Sequence, residues 1–456
     1  MKKILKPQYA FVLLAIIFGF VLMFFTPPFQ SPDEPWHFAK AFSVSQGHLF
    51  SKKADNISGD YLPEALLKFE KRYKVIYFDT SQRISFDEIE HTKNILLQKD
   101  KKAFVNQKYQ AMYTPLAYLP QAVGIFVSKI FTDSVYWLMI GAKSFLLLFY
   151  VLMGYFSIKS IPFGKWLCAM ILLMPMSLSL GASVSADGVL IAVSVLFFSK
   201  VLEYSYQKQV LGKKQLASLC AFAAALALIK QSFLISLFVL FIPREKFSGK
   251  YFAKIACVLL PAFVLSVLFS KVGYDIFVPL NGSNPAEQLR FIIAHPFVYA
   301  LTLLKTLAAY FQMLIYSTIG ILGWLDVFMF PFMYWLYGIL IFLNAFFQPD
   351  CECEKINVSL FQKVLLPLLV VINFVVICSI IYVSWAVPYL ISPFEGLQGR
   401  YFIPLLLPVF TALFLIFKDN IRLNLPQKFV RVNLCVVVLA YLNICFGIFI
   451  RYYAAF

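Results

Sequence analysis

Residues 9–25 read Tyr-Ala-Phe-Val-Leu-Leu-Ala-Ile-Ile-Phe-Gly-Phe-Val-Leu-Met-Phe-Phe, without one charged side chain. Such a stretch approaches the ~20 apolar residues with which an α-helix crosses ~30 Å of hydrocarbon. Runs of the same kind recur at Trp137–Ile158, Ile255–Ser270, Val364–Tyr382 and Val430–Ile450. The chain of 456 residues is 61% hydrophobic, 18% aromatic and only 14% charged. A soluble domain, with roughly a quarter of its residues charged, could not cover its surface with this composition. The sequence therefore predicts an all-α polytopic integral membrane protein.

Lys2, Lys3 and Lys6 precede the first stretch, and Phe24–Pro28 offers no small-residue cleavage site. It reads as an uncleaved first span with the N-terminus inside. Basic residues then gather in Lys159–Lys165, Lys200–Lys214, Arg244–Lys254, Asp350–Lys363 and Lys418–Arg431, all on that inner side. Topology thus accounts for the formal charge of +17, and a nucleic-acid partner is not expected. The eight cysteines avoid the one long polar segment, and none shows a disulfide framework or zinc spacing; Cys351-x-Cys353 reads as two ordinary thiols.

This topology predicts about 11 spans: residues 1–26 the first helix, 27–136 a large outer loop, 137–271 helices two to seven, 272–328 an outer loop with interfacial or re-entrant helices, and 329–456 the C-terminal helices. Phe29–Met112 holds 11 of the 23 acidic residues and three of the four histidines. Its middle, Lys52–Lys108, reads as short amphipathic helices on a membrane surface. Pro115 and Pro120 interrupt Tyr113–Phe131, which reads as interfacial or re-entrant. Lys230 and Gln231 divide Leu216–Pro243 into either two thin helices or a hairpin. No internal repeat of the kind found in secondary transporters is visible.

Away from the basic loops, ionisable residues beside apolar segments fall on the outer side: Asp33, Glu34 and His37; Asp187; Lys230; Arg290 and His295; Asp326; and Arg400, with Gln398 and Tyr401 beside it. A charge at a helix centre costs about 2.5–3.5 kcal/mol on insertion scales, so such groups face a polar cavity or one another. Their shared side predicts one outward-facing site. In Ser31-Pro-Asp-Glu-Pro-Trp-His37, two carboxylates and an imidazole sit between backbone-restricting prolines. That pattern suits a base for an acceptor hydroxyl, a divalent-cation site at Asp33 and Glu34, or a solvated helix cap. Gln398-Gly-Arg400 suits a phosphate gripped by a guanidinium, or a snorkelling arginine beside an interfacial tyrosine. Asp187 reads as a helix cap or a site residue; Lys230 as a site cation or a water boundary; Arg290, His295 and Asp326 as weaker candidates.

Several motifs occur together and in order: Pro32-Asp-Glu-Pro-Trp-His37, Tyr113-Thr-Pro-Leu-Ala-Tyr-Leu-Pro120, Ser185-Ala-Asp-Gly188, His295-Pro296, Gly323-Trp-Leu-Asp326 and Gln398-Gly-Arg-Tyr-Phe402. The chain resembles a bacterial family of multispanning proteins, domain of unknown function 2142, grouped with GT-C type glycosyltransferases. The resemblance implies a GT-C-like architecture in the bacterial cytoplasmic membrane. It implies transfer of a sugar from a polyprenyl-phosphate donor to an envelope glycan, lipid or protein acceptor at the outer face, with inversion. Asp33 or Glu34 would be the catalytic carboxylate, with His37 beside them. Arg400, Lys230 and Gln398 would hold the donor phosphate, and Mg²⁺ or Mn²⁺ use is left open. The alternatives are a transporter or flippase of lipid-linked glycans and a non-catalytic subunit of a polysaccharide assembly complex.

Overall fold

The computed structural model describes residues 6–98, 100–230, 232–279, 282–347, 356–387, 389–418 and 428–454. Lys2, Lys3, Gln231, Cys351 and Cys353 lie outside the described residues. The opening apolar stretch forms α1 (Pro7–Phe25), with Pro7 in the first turn, where a missing N–H breaks no helical bond. The chain next builds a cap over one end of the helix bundle from α2 (Glu34–Ser45), β1 (Lys52–Ala54), β2 (Ile57–Pro63), α3 (Ala65–Lys74), α4 (Phe86–Thr92) and β3 (Lys102–Asn106).

The strands form one antiparallel sheet in the order β1-β2-β3, with Gly59 opposite both Lys52 and Asn106. The expectation of amphipathic helices alone is corrected here. Burial along β2 lacks a period of two, and its partner β3 lies about forty residues away, so no local pattern announced the sheet. The cap is tied to the bundle by backbone bonds from Ile84 N to Tyr452 O and from Leu97 N to Asp133 O, both 2.9 Å.

A 3-10 turn, Pro115–Tyr118, leads into α5 (Leu119–Ser128) and α6 (Val135–Ser160). α7 (Lys165–Leu172), α8 (Pro175–Gly181), α9 (Ala186–Tyr206) and α10 (Lys213–Leu228) follow, then a 3-10 segment, Phe233–Phe241. The rest comprises α11 (Tyr251–Ile276), α12 (Pro285–Ala294), α13 (Pro296–Ile319), α14 (Pro331–Phe346), α15 (Leu360–Trp385), α16 (Ile403–Phe417) and α17 (Phe429–Tyr452). By length and composition, seven helical segments among the described residues can cross a membrane, or eight if the bent pair α8 and α9 is one span. The count of about 11 is therefore not established on these grounds. The other expected crossings fall on short pieces: α7 and α8 with 8 and 7 residues, α10 and α14 with 16 each, and the nine-residue 3-10 segment. Hydropathy alone does not separate a buried apolar half-helix from a full span.

α9 is buried along almost its whole length and forms the centre of the bundle. α7 ends beside it, and its last carbonyls are satisfied by three tyrosine hydroxyls. Tyr337 donates to Met170 O (2.9 Å), Tyr150 to Leu172 O (2.9 Å) and Tyr441 to Leu173 O (3.0 Å). Broken backbone inside an apolar bundle requires such partners. The break and the 113° bend between α8 and α9 deliver Ser183–Asp187 to the capped end. α5 and α6 approach closely through glycines: a Cβ on Gly124 would lie 2.3 Å from Gly141 O.

Candidate functional site

The two adjacent carboxylates of the cap meet different fates. Asp33 takes a left-handed conformation, φ 59°, and its carbonyl starts α2 by accepting from Trp36 N and His37 N. Its carboxylate stays one-third exposed and binds Arg400 Nη2 at 2.7 Å. Glu34 is fully buried. Its Oε2 accepts from Phe29 N (3.0 Å), and its Oε1 accepts from Val184 N (2.9 Å) and lies 3.2 Å from Lys143 Nζ. Glu34 thereby supplies acceptors to backbone on both sides of the site and fixes the α8–α9 bend. Its oxygens are taken.

Arg400 stands just before α16, in the 3-10 turn Gly399–Phe402. That turn lies against α13: Gly399 N donates to Ser317 Oγ at 2.9 Å, and a Cβ on Gly399 would fall 2.2 Å from Thr318 N. Only glycine lets the chain come so near. The Arg400 side chain is buried, and Nη2 also reaches Tyr401 Oη at 3.3 Å. Arg400 Nη1 is 3.8 Å from Asp187 Oδ2, too far for a hydrogen bond. Among the described residues Nε and Nη1 have no hydrogen-bond partner, and neither does the buried Gln398 Oε1. Unpaired buried donors are costly unless a ligand satisfies them.

Asp187 lies in the first turn of α9, where Ser185 Oγ accepts from Asp187 N at 3.0 Å. Its other oxygen binds Lys230 Nζ. Lys230 itself follows α10 in a left-handed conformation, φ 49°, and its ammonium sits 5.3 Å from the Tyr113 ring centre and 5.6 Å from that of Tyr401. Two cations and two carboxylates therefore alternate through Lys230, Asp187, Arg400 and Asp33. His37 lies buried beside them, its Nδ1 2.7 Å from Tyr118 Oη. Burial pushes its imidazole down to about 4, against the raising influence of Asp33 and Asp187, so the ring is neutral at pH 7.

An apolar groove of about 700 Å³ runs between α5, α6, α9 and α10. Three of its lining residues are close in sequence to the cluster: Ile229 next to Lys230, Val189 two residues after Asp187, and Leu116 between Tyr113 and Tyr118. Leu119, Val123, Leu148 and Leu152 line it and are 40–54% exposed, opening it sideways onto the bundle surface.

Of the sequence candidates, Asp33, His37, Asp187, Lys230, Arg400 and Tyr401 come together here, and Gln398 lies two residues before Arg400. Asp326 does not: it binds Arg451 Nε at 2.6 Å in a tight turn at another part of the cap interface. Arg290, in the middle of α12, and His295, at its C-terminal cap, are exposed and make no hydrogen bond, ion pair or ring contact with the cluster among the described residues. Lys143 was missed, although a lysine inside Trp137–Ile158 carries the same signal as Lys230. Trp36 and Lys108 were passed over, because nothing local shows that Lys108 Nζ sits 3.6 Å above the Trp36 ring.

A divalent cation at Asp33 and Glu34 does not fit this donor set. Both Glu34 oxygens are committed to N–H groups and Lys143, and the bound Asp33 oxygen faces a guanidinium. Among the described residues no group of three His, Cys, Asp or Glu side chains gathers as ligands.

Comparison with curated proteins and with solved structures gives no significant match. Residues 16–409 match the family described as predicted membrane protein DUF2142, and the chain belongs to that family.

Proposed function

We propose that this DUF2142 protein is an inverting GT-C type glycosyltransferase. It takes a sugar from a polyprenyl-phosphate donor at the outer face of the bacterial cytoplasmic membrane and delivers it to an envelope glycan or glycolipid. The observation that carries this reading is a buried guanidinium with two nitrogens unpaired among the described residues, in one cluster with Lys230, whose chain neighbour Ile229 lines a side-opening apolar groove. A polyprenyl chain suits the groove, and a phosphate suits the paired cations.

In this reading the acceptor hydroxyl attacks the anomeric carbon from the face opposite the phosphate. The bond between that carbon and the phosphate oxygen breaks, and polyprenyl phosphate leaves with the electron pair. Arg400 and Lys230 stabilise the charge that develops on it. The hydroxyl proton passes to the Asp33 carboxylate, the partly exposed member of the pair. Phosphate binding draws Arg400 from Asp33, which restores the carboxylate as a base only when donor is present. Glu34, with its oxygens committed, acts as a positioning residue.

The test is envelope glycan mass in cells lacking the gene, complemented at matched membrane levels. Asp33→Asn and Arg400→Gln are expected to reproduce the missing sugar unit of the deletion. Full restoration by Asp33→Asn would refute catalysis at this carboxylate and favour the transport or subunit alternative.

A further inference from the structure

A second group of side chains, which begins three residues after Asp33, is used by nothing above. Trp36, three residues after Asp33, meets Trp324 edge to face, with ring centres 5.7 Å apart at 77°. Tyr77 and Phe78 pack against the same Trp324 at 5.1 Å and 4.8 Å. Trp324 is held in place by donating its indole N–H to Phe29 O at 3.2 Å. Four rings from three distant parts of the chain thus form a floor and a wall, and the outermost, Phe78, is 71% exposed.

Polar groups are set among these rings. The Tyr77 hydroxyl is buried without a hydrogen-bond partner among the described residues. Lys108 caps one face of Trp36. Glu70 lies close enough to both to influence them, and burial pushes its carboxyl upward. The backbone is strained around the same place: Phe29, Asp33, Phe78, Lys108 and Leu325 all take left-handed conformations without being glycine. Left-handed lysine, phenylalanine and leucine persist only where surrounding structure imposes them, and such strain concentrates at ligand sites.

We propose that this aromatic corner is the acceptor subsite and takes a pyranose ring of a saccharide. A pyranose presents C–H groups on one face, which suit the electron-rich faces of Trp324 and Trp36, and hydroxyls at its edge. Tyr77 Oη, Lys108 and Glu70 are the groups available to those hydroxyls, and a sugar seated here places one hydroxyl toward Asp33. The proposal rests on the transferase reading for its direction of transfer, but not for the binding itself.

The experiment uses the full-length protein in nanodiscs with two probes: oligosaccharides released by mild acid from the envelope of the source cells, and decaprenyl monophosphate. Saturation-transfer NMR reads saccharide contact, and competition reads phosphate binding. Trp324→Ala is expected to weaken oligosaccharide binding by about tenfold or more, and Tyr77→Phe, which keeps the packing, by about threefold. Both are expected to bind decaprenyl monophosphate as the native protein does, while Arg400→Gln shows the opposite pattern. Native-strength saccharide binding by Trp324→Ala, or no saccharide binding by the native protein, overturns the subsite and leaves the donor reading standing. Saccharide binding that follows Trp324 without any decaprenyl monophosphate binding keeps the subsite and overturns the donor.

Discussion

Two arginines of this protein are buried to the same degree, Arg400 at 4% and Arg451 at 5% exposure, and both face an aspartate. Their surroundings differ in one respect. Arg451 spends every arm: Nε on Asp326, Nη1 on Gln82 O, and Nη2 on Ile76 O and Asp79 O. Arg400 gives Nη2 to Asp33 and Tyr401 and leaves Nε and Nη1 without partners. A saturated guanidinium is a clamp, here fastening the Ile76–Gln82 loop of the cap to α17. An unsaturated one, beside a groove, is prepared for an anion. The same contrast separates Glu34 from Asp33.

The largest expected effect breaks the clamp. Arg451→Ala leaves Asp326 without its cation and removes the guanidinium donors from Ile76 O, Asp79 O and Gln82 O; removing one partner of a buried pair costs about 3–5 kcal/mol. Arg451→Ala should therefore lose its monodisperse peak in size-exclusion chromatography or melt far below the native protein. Arg400→Gln should melt within a few degrees of native yet lose transfer by about 10²–10³-fold, as expected for removal of a donor to developing charge. Equal loss of thermal stability in both variants would erase the distinction.

The neighbouring carboxylates sharpen it. Asp33→Asn is expected to fold and to lose transfer, with donor binding retained. Glu34→Gln leaves Lys143 with no anionic partner in a buried place, so its melting temperature should drop by several degrees. A Glu34→Gln protein that melts as native and is inactive would reverse the assigned roles. Gly399→Ala probes the same geometry from behind: the added Cβ collides with α13 backbone and shifts the turn that carries Arg400. A displacement near 1 Å costs about 100-fold in rate. Arg400-dependent transfer should fall accordingly while Arg451 stays in place, and unchanged transfer would show that the turn does not set the guanidinium.

His37 predicts a pH effect of smaller size. Its folded-state pKa, about 4, lies below the 6.5 of an exposed imidazole. The unfolded chain therefore binds the proton first. This contribution to stability is complete above pH 6.5 and declines as pH falls from 6.5 toward 4. Thermal inactivation should accelerate across that window, and His37→Gln should flatten the dependence. An unchanged slope in His37→Gln would assign acid sensitivity to another group.

Composition and charge placement made the membrane class legible, and six of the candidate site residues meet in one cluster. What stayed hidden has physical causes. Residues 33 and 34 are adjacent, and only the left-handed turn at Asp33 sends one carboxylate to Arg400 and the other to Val184. The sheet depends on pairing β2 with a strand some forty residues on. The half-helix α7 is apolar like a span, and the tyrosine hydroxyls from α6, α14 and α17 explain how its C-terminal end survives in the interior. Arg451, near the end of the last apolar run, carried no motif at all.

The smallest effect is expected at Arg290 and His295, which the His-Pro motif had marked. Both lie exposed on or just after α12, and the His295 ring packs against Phe291 on its own helix. What holds α12 is Gln288, fully buried, whose amide donates to Tyr382 O and Ala386 O at the end of α15. Arg290→Ala and His295→Ala should then change transfer by less than about twofold, within the range of surface substitutions, while Gln288→Leu loosens α12 and lowers thermal stability. A loss above tenfold in either surface variant would mean that α12 closes over the groove or the aromatic corner during turnover. The site would then extend beyond the residues that meet around Arg400.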